Sequence, residues 1–356
     1  MSVEVVAERD AGMNPAPEND ARQPTPMQDK PAMLPPDAVT EATAIFSMKA
    51  RWAAHVRILR LDHSIKQVFI VPGILLGVAL AQERVNGALA VRIVVGLVAA
   101  ALISSSNYVL NELLDAPFDR LHPTKKNRPA ACGMVHVGWG YVEWIATMAA
   151  GVGLAATISR GFLLAAIGLW VMGCIYNIPP LRSKDVAYVD VLSESINNPI
   201  RFLLGWYTVT ALVPPLSLLL SYWMLGAYFM ALKRFSEYRQ IDNILVAASY
   251  RRSFGYYTEE SLLNSVAFYA SAAMLFFGAF IMRYRMELIL AFPLVAWLMS
   301  IYFGLSFEPD SAVQNPEKLY RQPRLMAVLV LCILVFTTLL FIDIPSLRDY
   351  FPKSHP

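Results

Sequence analysis

Hydrophobic and polar positions divide the chain into long apolar runs separated by short charged stretches. A run needs about 20 largely apolar residues to cross a bilayer as a helix. Runs of that kind occupy 66–83, 88–112, 139–158, 161–178, 188–210, 214–232, 260–281, 287–306 and 325–343. The pattern predicts an all-α membrane protein with nine transmembrane helices. The fifth run is interrupted by Ser193, Glu194, Ser195, Asn197, Asn198 and Arg201. Polar groups against lipid are costly, so this helix is expected to turn its polar face into the bundle. Ahead of the first span, residues 42–65 interleave Ile45, Phe46, Trp52, Val56 and Leu59 with Lys49, Arg51, Arg57 and Arg60, the pattern of an amphipathic helix lying on the membrane surface. Residues 1–41 hold seven of the 23 prolines and no hydrophobic period. They are expected to form a disordered tail. Residues 66–343 then form the transmembrane catalytic domain, and 344–356 a short extracytoplasmic tail.

Composition agrees. Of 356 residues, 56% are hydrophobic and 16% charged, and the mean hydropathy is +0.45. A soluble domain carries about 25% charged residues, so a water-soluble globule is excluded. The formal charge of +3 gives no basis for a nucleic-acid partner. Cys132, Cys174 and Cys332 are widely spaced, without a CxxC pair, so neither a disulfide framework nor a zinc site is indicated.

The distribution of basic residues is more informative. They concentrate in the loops after spans 2, 4, 6 and 8 (Arg120, Lys125, Lys126, Arg128; Arg182, Lys184; Lys233, Arg234, Arg239, Arg251, Arg252; Lys318, Arg321, Arg324). The opposite loops carry Arg84, Arg160, Arg283 and Arg285. The positive-inside rule then places the N-terminus and the richer loops in the cytoplasm.

Candidate chemistry lies in those loops. Asn111, Asp115 and Asp119 are spaced by four. Each step of four advances only about 40° around a helix, so their oxygens share one face. Clustered carboxylates beside lipid call for a cation, and oxygen ligands suit Mg²⁺, which usually shares its site with substrate phosphates. The basic run Arg120, Lys125, Lys126 and Arg128 follows as phosphate counter-charge. A second cluster runs from Tyr176 through Arg182, Lys184, Asp185 and Asp190 to Glu194. Its acidic end is expected to meet the first across the site, with metal and diphosphate between them. A third holds Lys233, Arg234 and Glu237, then Arg251, Arg252 and Tyr257. It reads either as a solvated helical pair or as a basic cap over an anionic head group. Lys66 reads as a membrane anchor or a phosphate ligand.

Nine helices with two acidic motifs on cytoplasmic loops resemble the UbiA superfamily of intramembrane prenyltransferases. Within it, three stretches are similar to the decaprenyl-phosphate phosphoribosyltransferase branch: Asp119 to Gly133 with its His122-Pro-Thr-Lys125 core, Lys233 to Glu237 followed by Tyr257-Thr258, and Asn315-Pro-Glu317. The resemblance implies transfer of 5-phosphoribose from phosphoribosyl pyrophosphate to a polyprenyl phosphate, in a bacterial cell membrane, toward arabinose-containing envelope glycans. It implies Mg²⁺ on Asn111, Asp115, Asp119 and Asp190. The substrate contacts it implies come from Lys66, Arg120, Lys125, Arg128, Tyr176, Arg182, Lys184, Glu194, Lys233, Arg234, Glu237 and Tyr257. Membrane lipids surround the protein, and assembly into a homo-oligomer is left open.

Two departures from that branch stand out. Glu112 replaces an aspartate, and Phe202 and Trp206 add bulk to a stretch that is usually small, where a substrate is expected to lie. An aromatic prenyltransferase of the same fold, using a polyprenyl diphosphate, is the alternative. A transporter would need mid-membrane ionisable groups and an internal repeat, and no convincing repeat is present.

Overall fold

A computed structural model describes residues 47–120, 125–241, 251–314 and 316–350, and every regular element among them is helical. The expected tail over 1–41, the start of the surface helix, His122 to Thr124 of the basic motif, Asn315 and residues 351–356 lie outside the described residues.

Helix α1 (Met48–Ile58) starts where the Ser47 hydroxyl accepts the Ala50 N–H. It buries Ala54 and Ile58 and leaves Met48, Trp52 and Val56 outward, as an interfacial helix requires. It ends earlier than expected, because Arg60 takes a left-handed backbone (φ 48°) that a helix cannot continue through. The chain re-enters as a 3₁₀ segment over Leu61–Ile70 and then α2 (Val71–Ala81), so the first expected span is composite. Helix α3 (Gly87–Asp119) is capped by Asn86 and has 33 residues. At 1.5 Å per residue it is about 50 Å long, well beyond the roughly 30 Å of a hydrocarbon core. Asp115 and Asp119 therefore stand on a helical extension rather than in a loop.

Helices α4 (Val137–Ala156) and α5 (Arg160–Asn177) follow, capped by the His136 ring and the Ser159 hydroxyl. The fifth span is broken into α6 (Val189–Ser195) and α7 (Asn197–Val209) around Ile196. Its polar side chains Asp190, Ser193, Ser195 and Arg201 are buried, so the polar face does turn inward. Then come α8 (Leu216–Arg239), α9 (Glu259–Tyr284, opened by a Thr258–Ser261 capping box), α10 (Phe292–Leu305), α11 (Pro323–Phe341) and the short α12 (Pro345–Tyr350). Each of the nine expected spans thus falls on helix. Among the described residues, six segments are long and apolar enough to cross a membrane unaided: α3, α5, α8, α9, 286–305 (a 3₁₀ turn plus α10) and α11.

Phe202 and Trp206 are core residues. They are 0% and 2% exposed, stack with their centroids 6.1 Å apart, and join Leu76, Leu218, Phe277, Phe280 and Leu340 in the core between α2, α7, α8, α9 and α11. Their bulk fills a helix junction. At that junction α2 and α7 touch backbone to backbone: a Cβ on Gly73 would fall on the Phe202 carbonyl, and one on Gly205 on the Ile70 carbonyl. Backbone cannot move aside as a flexible side chain can. Gly205→Ala is therefore expected to cost about 3 kcal/mol and lower the unfolding temperature in detergent by several degrees. An unchanged melting temperature would refute this close approach.

Candidate active site

The end of the bundle where α3, α5 and α8 terminate gathers the polar clusters. Asp115 is its first centre. Its Oδ1 accepts from Lys184 Nζ at 2.6 Å and from an Arg182 guanidinium nitrogen at 2.9 Å. Its Oδ2 accepts from Asn111 Nδ2 at 3.2 Å. Asn177, at the end of α5, ties these together, since its Oδ1 accepts from Asn111 at 2.6 Å and from Lys184 at 2.8 Å. Arg182 also donates to Asp185 at 3.0 Å. Asp119, one turn beyond Asp115, pairs with Arg128 at 2.7 Å.

A second centre surrounds Arg234, which is 1% exposed. Its guanidinium meets Asp190 at 3.1 Å, Glu194 at 2.7 Å and Glu237 at 3.1 Å. Asp190, on the first turn of α6, also accepts from Ser253 Oγ at 3.2 Å and Tyr257 Oη at 2.7 Å, with Arg251 at 3.6 Å. Tyr176 donates to Glu194 at 3.0 Å. Lys233 is 3.9 Å from Glu237, and Lys66 sits beside Glu194 and Lys233 with its ammonium 5.7 Å above the Tyr108 ring.

Arg251 stands between the centres, close to Lys125, Lys184 and Tyr176 as well as Asp190. Burial, with Arg251 and Arg128 nearby, pushes the Lys125 ammonium down to about 8. Burial does the same to Lys184, down to about 8, although Asp115 pulls it upward. Burial and the Asp190 carboxylate push the Tyr257 hydroxyl up.

With this geometry in view, residues 70–321 match the UbiA prenyltransferase family. The chain belongs to that family. Among relatives, it is 29% identical over 233 residues to a decaprenyl-phosphate phosphoribosyltransferase of Mycolicibacterium smegmatis, covering 63% of this chain and 68% of that protein. A 110-residue stretch is 32% identical to the Sinorhizobium fredii protein y4nM, covering 31% of this chain but only 21% of that protein. A UbiA homologue from Archaeoglobus fulgidus, solved with GPP and Mg²⁺ bound, superposes with a TM-score of 0.60 at 19% identity, covering 81% of this chain and 100% of that one.

In this UbiA-family protein, several of the expected side chains are engaged by other protein groups, as Asp115 itself is. Asp190, expected as a metal ligand, is 0% exposed, and both its oxygens are engaged by protein donors. Arg234, expected on phosphate, has all three guanidinium nitrogens on carboxylates. Tyr257, expected on substrate, is 1% exposed and holds Asp190. Arg120 donates to the Ala131 carbonyl at 3.1 Å and fastens the basic loop. Glu112 is buried, accepting from the Ala130 N–H and lying 3.4 Å from Arg60, so it holds α1 and that same loop. Acids of each motif are paired with cations of a later cluster. Asp115 meets cations of the second cluster, and Asp190 and Glu194 meet cations of the third. Asn177 and Ser253 were missed as site residues, and Arg251, expected only as a member of the third cluster, was given no contact of its own. The Arg251-Arg252 pair was visible, but no local spacing distinguishes it from a solvated charge.

Among the described residues no three His, Cys, Asp or Glu side chains converge to hold a metal, so the site offers no all-protein cage. Mg²⁺ seldom uses one; it binds through one or two carboxylates plus waters and substrate phosphate oxygens. Asp115 and Asp119, a turn apart on α3 beside Asn111, are a donor set of that kind.

Proposed function

We propose that this protein transfers 5-phosphoribose from phosphoribosyl pyrophosphate to a decaprenyl-type polyprenyl phosphate, releasing pyrophosphate. We place it in a bacterial cell membrane with nine spans, the N-terminus inside and the site open to the cytoplasm. The observation that carries this reading is the concentration of Lys125, Arg128, Arg182, Lys184 and Arg251 around Asp115 and Asp119. That is more positive charge than one isoprenoid diphosphate needs, and it suits a soluble donor with three phosphates. The M. smegmatis relative supports the same choice.

In this reading the lipid phosphate oxygen forms a bond to ribose carbon 1 as the bond to pyrophosphate breaks, so the anomeric centre inverts. The attacking phosphate is already anionic and needs no general base. Mg²⁺, when bound at Asp115 and Asp119 with Asn111 beside them, supplies neutralisation of the charge growing on the diphosphate. Lys125, Arg128, Arg182 and Lys184 orient the donor phosphates, while Asp190, Arg234 and Tyr257 brace the far wall.

The test is to offer the purified protein two substrate pairs with Mg²⁺ and read lipid products by mass spectrometry. Phosphoribosyl pyrophosphate with a polyprenyl phosphate should yield a phosphoribosylated lipid. A prenylated ring from polyprenyl diphosphate and 4-hydroxybenzoate would instead establish the aromatic reaction and defeat the proposal.

Lys125 also sets a pH dependence. Its ammonium is lost as pH rises through about 8, which removes positive charge from the donor site. Above that pH, kcat/KM for the donor should fall in the wild type. The fall should be shallower in Lys125→Arg, whose guanidinium stays charged, and what remains of it should come from Lys184, whose ammonium is lost in the same range. A wild-type profile flat to about pH 9.5 would contradict this role for Lys125.

A further inference from the structure

Deeper in the bundle, α7 carries an arginine that the charged end does not use. Arg201 is 8% exposed. One terminal nitrogen donates to the Asn197 carbonyl at 3.4 Å, a turn back on the same helix, and its Nε has no hydrogen-bond partner. Among the described residues no carboxylate forms an ion pair with it. Its neighbours are Tyr108 and Tyr222, and Asn197 Oδ1 beside it is also without a partner.

A buried unpaired guanidinium is destabilising, and a methionine would fill the volume without the charge. Ionisable groups inside a membrane bundle persist where a pathway or ligand needs them. The position is also connected to the charged end. Tyr108 lies between Arg201 and Lys66, and Lys66 adjoins Glu194. Lys66, Tyr108 and Tyr222 are each only half-buried, so a polar seam leads from the charged end to Arg201. The soluble donor has its cations above. The anion that reaches Arg201 is one delivered with a membrane-embedded tail.

We propose that Arg201, with Lys66 across Tyr108, binds the phosphate monoester head group of the lipid acceptor and selects an anionic lipid over its neutral alcohol. This deepens the function proposed above and rests on it for the identity of the lipid. The binding itself does not require turnover.

The full chain in zwitterionic nanodiscs would be titrated with a polyprenyl phosphate and with the matching polyprenol, without donor. Wild type, Arg201→Met and Arg201→Lys would be compared. Wild type should prefer the phosphate by at least about tenfold, the scale of charge-assisted hydrogen bonds. Arg201→Met should lose that preference without a lower melting temperature, and Arg201→Lys should retain part of it. In turnover, the lipid KM should rise in Arg201→Met while the phosphoribosyl pyrophosphate KM stays within about twofold. Unchanged phosphate affinity in Arg201→Met would overturn the proposal. So would an equal loss for phosphate and alcohol, which would mark the residue as structural. If wild type transfers no phosphoribose yet discriminates the two lipids through Arg201, the functional reading fails and the anion site stands.

Discussion

Asp190→Ala is expected to destabilise the protein by about 3–5 kcal/mol, the scale of breaking a buried ion pair from one side. The carboxylate is completely buried and holds Arg234, Ser253 and Tyr257, with Arg251 at 3.6 Å. Alanine would leave Arg234 with Glu194 and Glu237 only, and would strip the Tyr257 hydroxyl of its acceptor inside the protein. Because part of the loss is the buried Arg234 Nε left without its acceptor, Asp190→Ala should cost less in an Arg234→Met background. Thermal or denaturant unfolding of the two single variants and the double variant measures this coupling. A single Asp190→Ala variant as stable as wild type, or strictly additive effects, would show that the pair does not brace the wall between α6 and α8.

Asp115→Asn is expected to lower kcat by about 100-fold or more, the usual scale for removing one group that stabilises developing charge. The amide keeps the shape of the side chain and can still meet Asn111, so the fold should survive, with a melting temperature lowered by the loss of the buried Lys184 pair. Lys184, paired to Asp115 at 2.6 Å, would lose its carboxylate, while Arg182, at 2.9 Å from Asp115, would keep Asp185. Lys184 would then be more available to the donor's phosphates. The donor KM should therefore stay level or fall while kcat falls. That split separates a metal-side role from loss of binding. Turnover within about threefold of wild type would exclude Asp115 from the reaction.

Much of the architecture was legible along the chain because membrane crossing is a local requirement. Apolar runs of sufficient length predicted helices at nine places, and each lies on helix. The departures also have local causes. The left-handed Arg60 ends α1 early, and the first and fifth spans are each built in two pieces. The first acidic motif was legible for the same reason: Asn111, Asp115 and Asp119 share a face by helix geometry alone, wherever α3 is placed.

The site behind that motif was less legible, since charge in a sequence carries a sign but no partner. Arg234 and Arg182 look alike as members of basic runs, yet three carboxylates enclose one while the other reaches Asp115. Phe202 and Trp206 looked like obstacles in a substrate space because nothing local says which side of α7 meets α2.

Sequence by itself determined the helices, the membrane class, the acid spacing on α3 and the family resemblance, all set by hydrophobic runs or by residues within a few turns of one another. Tertiary structure alone decided which charges are satisfied. Lys184 meets Asp115 across 69 residues, and Arg234 meets Asp190 across 44. Arg201 meets no carboxylate among the described residues. Such pairings depend on how separate helices pack, and one-dimensional spacing does not contain that information.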